Sequence, residues 1–419
     1  MHYHETTQAT KWQLSSQNEL NSLREHANRR AREWLAQGSG QIEDGGGDEQ
    51  QLTSVPFQVF GFAATRGERL SLATAEAQDV PVVADESSPS YGPTHNAINQ
   101  PLLNPTDECL LLSFYASKIP NLIGPRATLP RCVRAPKVAA TACLLFKRFY
   151  LSNSVMMYDP KCMSVAAAFL ASKVEDCMLD VRYLELATKE MNAPVGMDDI
   201  LKAEVQLLKG CDFDLLMFHP YKTVLACTED LRVYLKSDRG RGLVAIDDGT
   251  GDHANKQFVD RQVVGEDLRP MHNAAMEICD DVIVSDIPLM YGPGEIGLAA
   301  LMVANDYVCE EPIADNEEQT ILSKHTKIDM IGYIRTRFQD STNELHVKID
   351  STAIESVVAR VTILSSKIRE LKEGKHGCGN HNVDMESLKG VHKKLKKCRA
   401  WGQDSSGSKK KKKKRKADE

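Results

Sequence analysis

The sequence has no apolar run long enough to span a membrane and no paired-cysteine motif. No stretch reaches 18 consecutive apolar residues, and the N-terminal residues contain no hydrophobic core of a signal peptide. Eleven cysteines are scattered singly, with no CxxC spacing, and several lie in apolar stretches such as 142–145. This use of cysteine does not predict a disulfide framework. We expect a soluble intracellular protein whose reduced thiols pack like small hydrophobic side chains.

The sequence also lacks a recognisable catalytic or metal-binding arrangement. No Ser/His/Asp set and no pair of carboxylates stands out. His376, Cys378 and His381 are metal-binding residue types, but they provide three ligands in a Gly-rich linker, and a fortuitous cluster explains them better than a zinc site. We therefore expect no metal, no cofactor and no catalytic residue in this chain.

Charge is unevenly distributed along the 419 residues. The formal net charge is −6, yet residues 409–416 alone carry eight positive charges, so the remaining residues sum to −14. A block of like charge stays solvated and is typical of a targeting or interaction tail. A merely solubilising tail is the alternative interpretation.

Hydrophobic periodicity predicts an all-α protein with separate helical blocks. Helices are predicted at 16–37, 106–119, 133–151, 160–175, 180–191, 198–211 and 353–373. The stretches between them favour a division into 1–37 (N-terminal segment and helix), 38–104 (a largely disordered Gly-, Pro- and Ser-rich insertion), 105–214 and 215–345 (two helical domains, the second interrupted by a polar loop at 237–265), 346–374 (C-terminal helix) and 375–419 (basic tail).

The C-terminal helix has a regular apolar stripe. Thr352 and Glu355 are spaced as a capping box, and Gly374 follows the end of the pattern. The stripe has alternating spacings of three and four residues and consists of Ile354, Val357, Val361, Leu364, Ile368 and Leu371. A coiled coil is one interpretation, and a helix docked on its own domain is the one that so short a stripe favours.

The two helical domains each contain one copy of a repeated segment. The segment 158–171 (YDPKCMSVAAAFLA) aligns without gaps with 291–304 (YGPGEIGLAALMVA), at an offset of 133 residues. The same offset pairs Ala142 with Ala275 and Ser152 with Ser285. In both copies a proline can begin a helix, and the alanines after it allow neighbouring helices to approach closely.

This repeat explains a false nucleotide-binding motif. Residues 292–297 (GPGEIG) satisfy GxGxxG and follow an apolar stretch at 282–284. A dinucleotide site requires a strand that enters the glycine turn directly. Here residues 286–288 interrupt that connection, and the sister copy lacks the glycines, so a duplicated helix start is the better interpretation.

The residues 147–155 (KRFYLSNSV) and 168–176 (AFLASKVED) resemble the signature of the cyclin box. Cyclins carry this five-helix fold twice, so the resemblance implies two tandem five-helix cyclin boxes with flanking N- and C-terminal helices. Residues 11–29 and 213–221 (FDLLMFHPY) are similar to the cyclin H branch of the family. The insertions at 38–104 and 237–265 depart from the family core. Residues 108–114 (ECLLLSF) lack the alkyl docking motif of cell-cycle cyclins, so that docking function is not expected.

The resemblance implies a non-enzymatic regulatory subunit that binds and activates a cyclin-dependent kinase. The implied kinase is the catalytic subunit of the CDK-activating kinase, linked to transcription initiation by RNA polymerase II and to the cell cycle. The resemblance also suggests a RING-finger assembly factor and TFIIH as partners. No association with a membrane is expected. Another transcription-associated cyclin, of the C, K, T or L type, is the first alternative. A DNA-gripping double cyclin fold of the TFIIB type is the second, but the acidic body argues against direct binding of nucleic acid.

Two helices each carry one charge in an otherwise apolar row. The rows are Val165, Phe169 and Lys173 in one helix and Ile200, Glu204 and Leu208 in the other. A charge at the rim of an apolar stripe usually reaches into solvent. Two opposite charges in one repeat favour a pair instead. By the resemblance, Lys173 and Glu204 grip the kinase, and Val174 and Leu208 pack on its regulatory helix.

Two lysine-rich clusters near the C-terminus have the layout of a bipartite nuclear-import signal, with eleven residues between them. The clusters are Lys393, Lys394, Lys396 and Lys397, and then Lys409, Lys410, Lys411, Lys412, Lys413, Lys414, Arg415 and Lys416. They predict a nuclear protein.

Overall fold

The structure, a computed structural model, describes residues 3–39, 58–67, 102–246, 257–258, 267–310, 326–345, 351–374 and 384–401. These residues form two compact units. We call them the repeat-1 unit (Thr10–Leu216 with His381–Glu419) and the repeat-2 unit (Met1–Ala9 with Met217–Asn380). The predicted all-α fold class with two helical repeats is confirmed, with a small sheet as the one addition in the described ranges.

The repeat-1 unit is helical in the described ranges. Its helices are α1 (Gln17–Ser39), α2 (62–67), α3 (Pro105–Leu122), α4 (Pro136–Phe149), α5 (Pro160–Val174), α6 (Val181–Glu190), α7 (Met197–Gly210) and α14 (Met385–Cys398). The ends of α3 to α7 agree with the predicted helices to within three residues. Proline at the first position of α3, α4 and α5 marks these starts well, because its fixed φ suits a first turn.

Helix α5 lies at the centre of this unit and packs against α3, α4 and α7. Every residue from Met163 to Ser172 is buried, as expected for a helix that is apolar on all sides. The end of α7 approaches α4 closely at Gly210, where an added Cβ would lie 2.4 Å from the Phe149 ring. This packing fixes the relative positions of α5 and α7, which carry Lys173 and Glu204.

The N-terminal helix α1 contacts α3 through a buried polar cluster. Asn28 Nδ2 donates to Glu108 Oε1 at 2.9 Å, and Ser154 Oγ donates to the same oxygen at 2.5 Å. The Glu108 side chain is almost fully buried. Burial raises its pKa from the ordinary 4.5 to about 7, and the bonds from Ser154 and Asn28 oppose that shift.

This buried carboxyl predicts a pH-dependent stability. A raised pKa in the folded state contributes stability that is full below pH 4.5 and is lost as the pH rises through about 7. At 1.36 kcal/mol per pKa unit, the loss is about 3 kcal/mol. We expect the free energy of unfolding of the wild type, relative to Glu108→Gln, to fall by that amount between pH 4.5 and 7.5 in urea titrations. Parallel pH profiles would contradict the shift.

The repeat-2 unit contains α8 (Tyr221–Tyr234), α9 (Asp238–Arg241), α10 (Arg269–Val284), α11 (Pro293–Glu310), α12 (Met330–Leu345) and α13 (Ser351–Lys372). Helices α10 and α11 begin 133 residues after α4 and α5, which is the offset of the sequence repeat. In each unit this pair packs together. The repeated segment is therefore a helical hairpin that forms the centre of each unit.

The GxGxxG stretch begins a helix, as the repeat predicted. Residues 282–284 are the end of α10, a short 3-10 turn follows at Ile287–Leu289, and α11 begins at Pro293. No strand enters this turn within the described residues. An added Cβ at Gly297 would lie 2.7 Å from Thr223 Cβ and 3.2 Å from the Pro220 carbonyl oxygen. This glycine allows α11 to approach α8.

Helix α13 packs on α11 in its own unit. This agrees with the prediction of a helix docked on its own domain rather than a coiled coil. Its buried residues include Ile354, Val358, Val361, Leu364, Ile368 and Leu371, with Val358 in the place predicted for Val357. The predicted capping box is wrong. The helix begins at Ser351, so Thr352 lies inside it, and both Glu355 carboxylate oxygens accept from Arg335 at 2.8 Å.

Regular structure also occurs where the sequence predicted a loop at 237–265. Helix α9 is followed by β1 (Val244–Ile246) and β2 (Gln257–Phe258), and β3 (Thr326–Ile328) completes an antiparallel sheet in the order β2-β1-β3. Strands of two or three residues are too short to show an alternating pattern in sequence, so this loop prediction missed them.

Candidate functional site

The structure brings Lys173 and Glu204 together. Lys173 lies in the last turn of α5, and Glu204 lies in the middle of α7. Lys173 Nζ donates to Glu204 Oε1 at 2.7 Å and to Oε2 at 3.0 Å. The Lys173 Nζ also lies 4.0 Å from the centre of the Phe169 ring, within cation–π range. Two neighbours in its own repeat therefore hold the ammonium group in place.

The two partners of this pair differ in exposure. The Glu204 side chain is 11% exposed, and the Lys173 side chain is 36% exposed. An ammonium group has three N–H donors, and Glu204 accepts from two of them at most. The Lys173 ammonium group is therefore held in place and partly desolvated, and it has at least one N–H left to donate to a partner. The Glu204 carboxylate behind it is nearly buried.

An exposed apolar face flanks the pair on α7. Ile200, Ala203 and Leu207 are buried on the inner side of this helix. On the outer side, Leu201 and Val205 are exposed, Val205 to 51%, and Leu208 is half-buried. Val174 is half-buried beside Lys173 at the end of α5. A contiguous exposed apolar face of this kind is typical of a protein–protein interface.

The turn after α7 has one more exposed apolar side chain. The Phe213 N–H donates to the Leu208 carbonyl oxygen at 3.0 Å, and the Phe213 side chain is 64% exposed. Asp212 and Phe213 both have positive φ, at 50° and 58°. Asp and Asn tolerate the left-handed region at helix ends, and Asp176 and Asn192 adopt it after α5 and α6, whereas a bulky residue such as Phe213 rarely does.

Sequence reasoning missed Leu201, Val205 and Phe213. The available signal was that α7 has apolar residues on both sides, whereas a surface helix has one polar side. Periodicity alone does not tell which side the protein itself covers. That depends on where α5 packs.

The predicted import residues are divided between two kinds of environment. Helix α14 packs on α3 through an apolar side that contains Leu388, Val391, Leu395 and Cys398. Lys393, Lys396 and Lys397 are exposed on it, and Lys394 Nζ pairs with Asp107 Oδ2 at 3.2 Å. The run Lys409 to Lys416 lies outside the described residues.

The remaining sequence candidates give no second site in the described ranges. His376, Cys378 and His381 lie outside them, and no group of three potential metal ligands occurs within them. None of the described helices is both long enough and apolar enough to cross a bilayer.

Comparisons with known proteins find similarity to cyclins. A family model described as the cyclin N-terminal domain matches residues 133–216, which span the α4 to α7 core with Lys173 and Glu204. Cyclin-H1-1 of Arabidopsis thaliana is 26% identical over 243 residues, 55% of this chain and 62% of that protein. The putative cyclin-H of Dictyostelium discoideum is 32% identical over 146 residues, 35% of this chain and 45% of that protein. The chain thus spans about half the length of the curated relatives that it matches.

A solved structure of the CAK complex from Chaetomium thermophilum bound to ATP-γ-S is also similar, with a TM-score of 0.57 and 20% identity. The match covers 95% of this chain and 88% of that chain, and at this identity it shows the fold. Residues 133–216 are thus similar to the cyclin N-terminal domain, and the relatives that the chain matches are cyclins.

Proposed function

We propose that the chain is the regulatory subunit of a cyclin-dependent kinase, which it binds and activates, and that it transfers no phosphate itself. The observation that carries the proposal is the Lys173–Glu204 pair beside the exposed apolar face of α7. Both features lie inside the match to the cyclin N-terminal domain. A charged side chain surrounded by apolar residues is typical of a hot spot in a protein–protein interface.

The geometry suggests how activation would occur. An active kinase needs its regulatory helix in the inward position, where a glutamate of that helix meets the phosphate-binding lysine. Lys173 would donate to backbone carbonyls at the end of that helix, while Glu204 holds its ammonium group. Val174, Leu208 and the outer side of α7 would cover the apolar side of the same helix. A surface that fits only the inward arrangement shifts the kinase population towards it.

Within the family, we propose the kinase to be the catalytic subunit of the CDK-activating kinase. Cyclin-H proteins match 243 and 146 residues of the chain, whereas a cyclin of the C type matches 99, which supports this choice over the C type. A RING-finger assembly factor and TFIIH are then the expected further partners, in transcription initiation by RNA polymerase II. The TFIIB-type alternative needs a basic face on the repeats, and outside the 409–416 run the chain is acidic.

Capture of the kinase by the tagged chain tests this proposal. We expect one cyclin-dependent kinase to co-purify with the wild type from nuclear extract, and its identity decides the cyclin type. Lys173→Ala should lose most of it, whereas Lys189→Ala on α6, another lysine in an ion pair, should retain it. Capture of no kinase, or equal capture by both variants, would argue against the proposed surface.

We also propose that the basic C-terminus directs nuclear import, mainly through residues 409–416. The first lysine cluster lies on the folded helix α14, and one of its members, Lys394, pairs with Asp107, whereas Lys393, Lys396 and Lys397 are exposed. A fluorescent fusion that ends at Trp401 keeps α14 and should lose nuclear accumulation in cells whose kinase cannot be imported. Lys396→Gln with Lys397→Gln should have the smaller effect. Unchanged accumulation of the truncated fusion would contradict this assignment.

A further inference from the structure

Ten residues of the long insertion fill a groove in the repeat-1 unit. The sequence predicted residues 38–104 to be largely disordered, but residues 58–67 pack against the helical core. Phe62 and Thr65 are fully buried. The Phe62 ring stacks on Trp12, with ring centres 4.5 Å apart and planes within 19°. A fully buried aromatic side chain is the usual anchor of a short peptide in a groove.

The backbone of this segment is also bound. The Phe60 N–H donates to Asn153 Oδ1 at 3.1 Å, and Asn153 Nδ2 donates back to the Phe60 carbonyl oxygen at 2.9 Å. The Ala63 N–H donates to Asp212 Oδ2 at 2.9 Å. Asn153 lies in the turn between α4 and α5, and Asp212 lies in the turn after α7. The segment therefore joins two turns that are distant in sequence.

Charged side chains hold both ends of the segment. The Arg30 guanidinium lies 3.8 Å from the centre of the Phe60 ring. At the other end, Arg66 pairs with Glu19 at 3.2 Å and donates to the Lys11 carbonyl oxygen at 2.7 Å. Packing, backbone hydrogen bonds and charge thus specify one position for these ten residues.

The contact with Asp212 bears on the strained turn. The Asp212 carboxylate accepts from the Ala63 N–H and pairs with Lys11 Nζ at 3.0 Å. Asp212 and the next residue, Phe213, are two consecutive residues with left-handed backbone, and strain of this kind persists where neighbouring structure holds it. Backbone hydrogen bonds hold the turn, and the segment adds a restraint on the Asp212 side chain, one residue before Phe213.

We propose that residues 58–67 are an intramolecular clamp, whose binding in this groove fixes the Asp212–Phe213 turn and positions Phe213 on the partner-binding face of α7. The groove is thus a binding site for a short aromatic segment, and this chain occupies it with its own. The role in partner binding rests on the proposed function, whereas the fixing of the turn does not.

Gly61 gives a specific test, because the segment carries its own control. An added Cβ at Gly61 would lie 2.0 Å from Asp212 Oδ1, whereas at Gly67 it would meet nothing within 4 Å. Gly61→Ala must displace the Asp212 carboxylate or the segment. It should leave the Phe62 anchor in place and the protein folded. Gly67→Ala adds the same methyl group to the same segment at no steric cost.

Hydrogen exchange of the full chain measures the clamp without any partner. In Gly61→Ala we expect the amides of Ala63 and of residues 212–214 to exchange about tenfold faster, through local opening. Calorimetric titration with the kinase should show a loss of affinity of several-fold. Gly67→Ala should match the wild type in both measurements, and Lys173→Ala should lose affinity with unchanged exchange.

Other results of these two measurements would contradict the proposal. Exchange in Gly61→Ala that equals that of Gly67→Ala would overturn the clamp. Faster exchange with unchanged kinase affinity would overturn its role in positioning Phe213, provided that Lys173→Ala does weaken binding. If Lys173→Ala also leaves the affinity unchanged, it is the proposed function that fails.

Discussion

Replacement of Lys173 by alanine should weaken kinase binding by about thirty-fold or more. Loss of one member of a desolvated charged pair costs roughly 2–5 kcal/mol of binding free energy, and 1.4 kcal/mol is about tenfold in affinity. Much of the cost arises because Glu204, already nearly buried, would be left under the kinase without its partner. Titration calorimetry with the purified kinase measures the effect directly.

The double variant Lys173→Ala with Glu204→Ala should lose clearly less affinity than the sum of the two single losses, because it leaves no unpaired charge. The melting temperature of the free chain should hardly change, since the Lys173 side chain is 36% exposed before any partner binds. Lys189→Ala, which breaks an exposed ion pair on α6, serves as the matched control. Strictly additive losses would mean that the residues act independently. A large fall in melting temperature would make them structural.

Gly297→Val should destabilise the protein by about 3 kcal/mol or more. Its Cβ would lie 2.7 Å from Thr223 Cβ and 3.2 Å from a backbone oxygen, so α11 and α8 would have to move apart. Overpacking of a well-packed interface typically costs roughly 1–3 kcal/mol, and here one of the obstructing atoms belongs to the backbone. Urea denaturation, monitored by circular dichroism, gives the free energy of unfolding.

Gly294→Ala, three residues earlier in the same helix, is the control for Gly297→Val. An added Cβ at Gly294 would meet nothing within 4 Å, and alanine is a better helix former than glycine. We therefore expect Gly294→Ala to be neutral or mildly stabilising. If both glycines tolerated substitution equally, the packing explanation of the GxGxxG stretch would be contradicted.

The central helices were predictable because their signals are local. Helices α3, α4 and α5 begin at prolines. Their apolar segments are longer than a typical β-strand, which favours a helix. The repeat at an offset of 133 residues then related α4 and α5 to α10 and α11. The Lys173–Glu204 pair was also accessible from sequence, because each charge interrupts an apolar row and the two signs are opposite.

The features that sequence reasoning missed depend on distant contacts. Helix α14 is rich in lysine, so its composition suggested a tail, although four apolar residues form one side that binds α3. The docking of residues 58–67 depends on Trp12, Asn153 and Asp212, which no local pattern connects with Phe62. The exposure of Val205 and Phe213 follows from which side of α7 the core covers.

The most direct test of the account is the phosphotransfer activity of the co-purifying kinase, measured against increasing concentrations of this chain. We predict that the chain alone shows no ATP turnover, and that kinase activity rises to saturation with the wild type. With Lys173→Ala the same rise should require at least about thirty-fold more protein, because the variant binds more weakly. Kinase activity that does not respond to the chain, or ATP turnover by the rigorously purified chain alone, would contradict a regulatory subunit that acts through the Lys173–Glu204 surface.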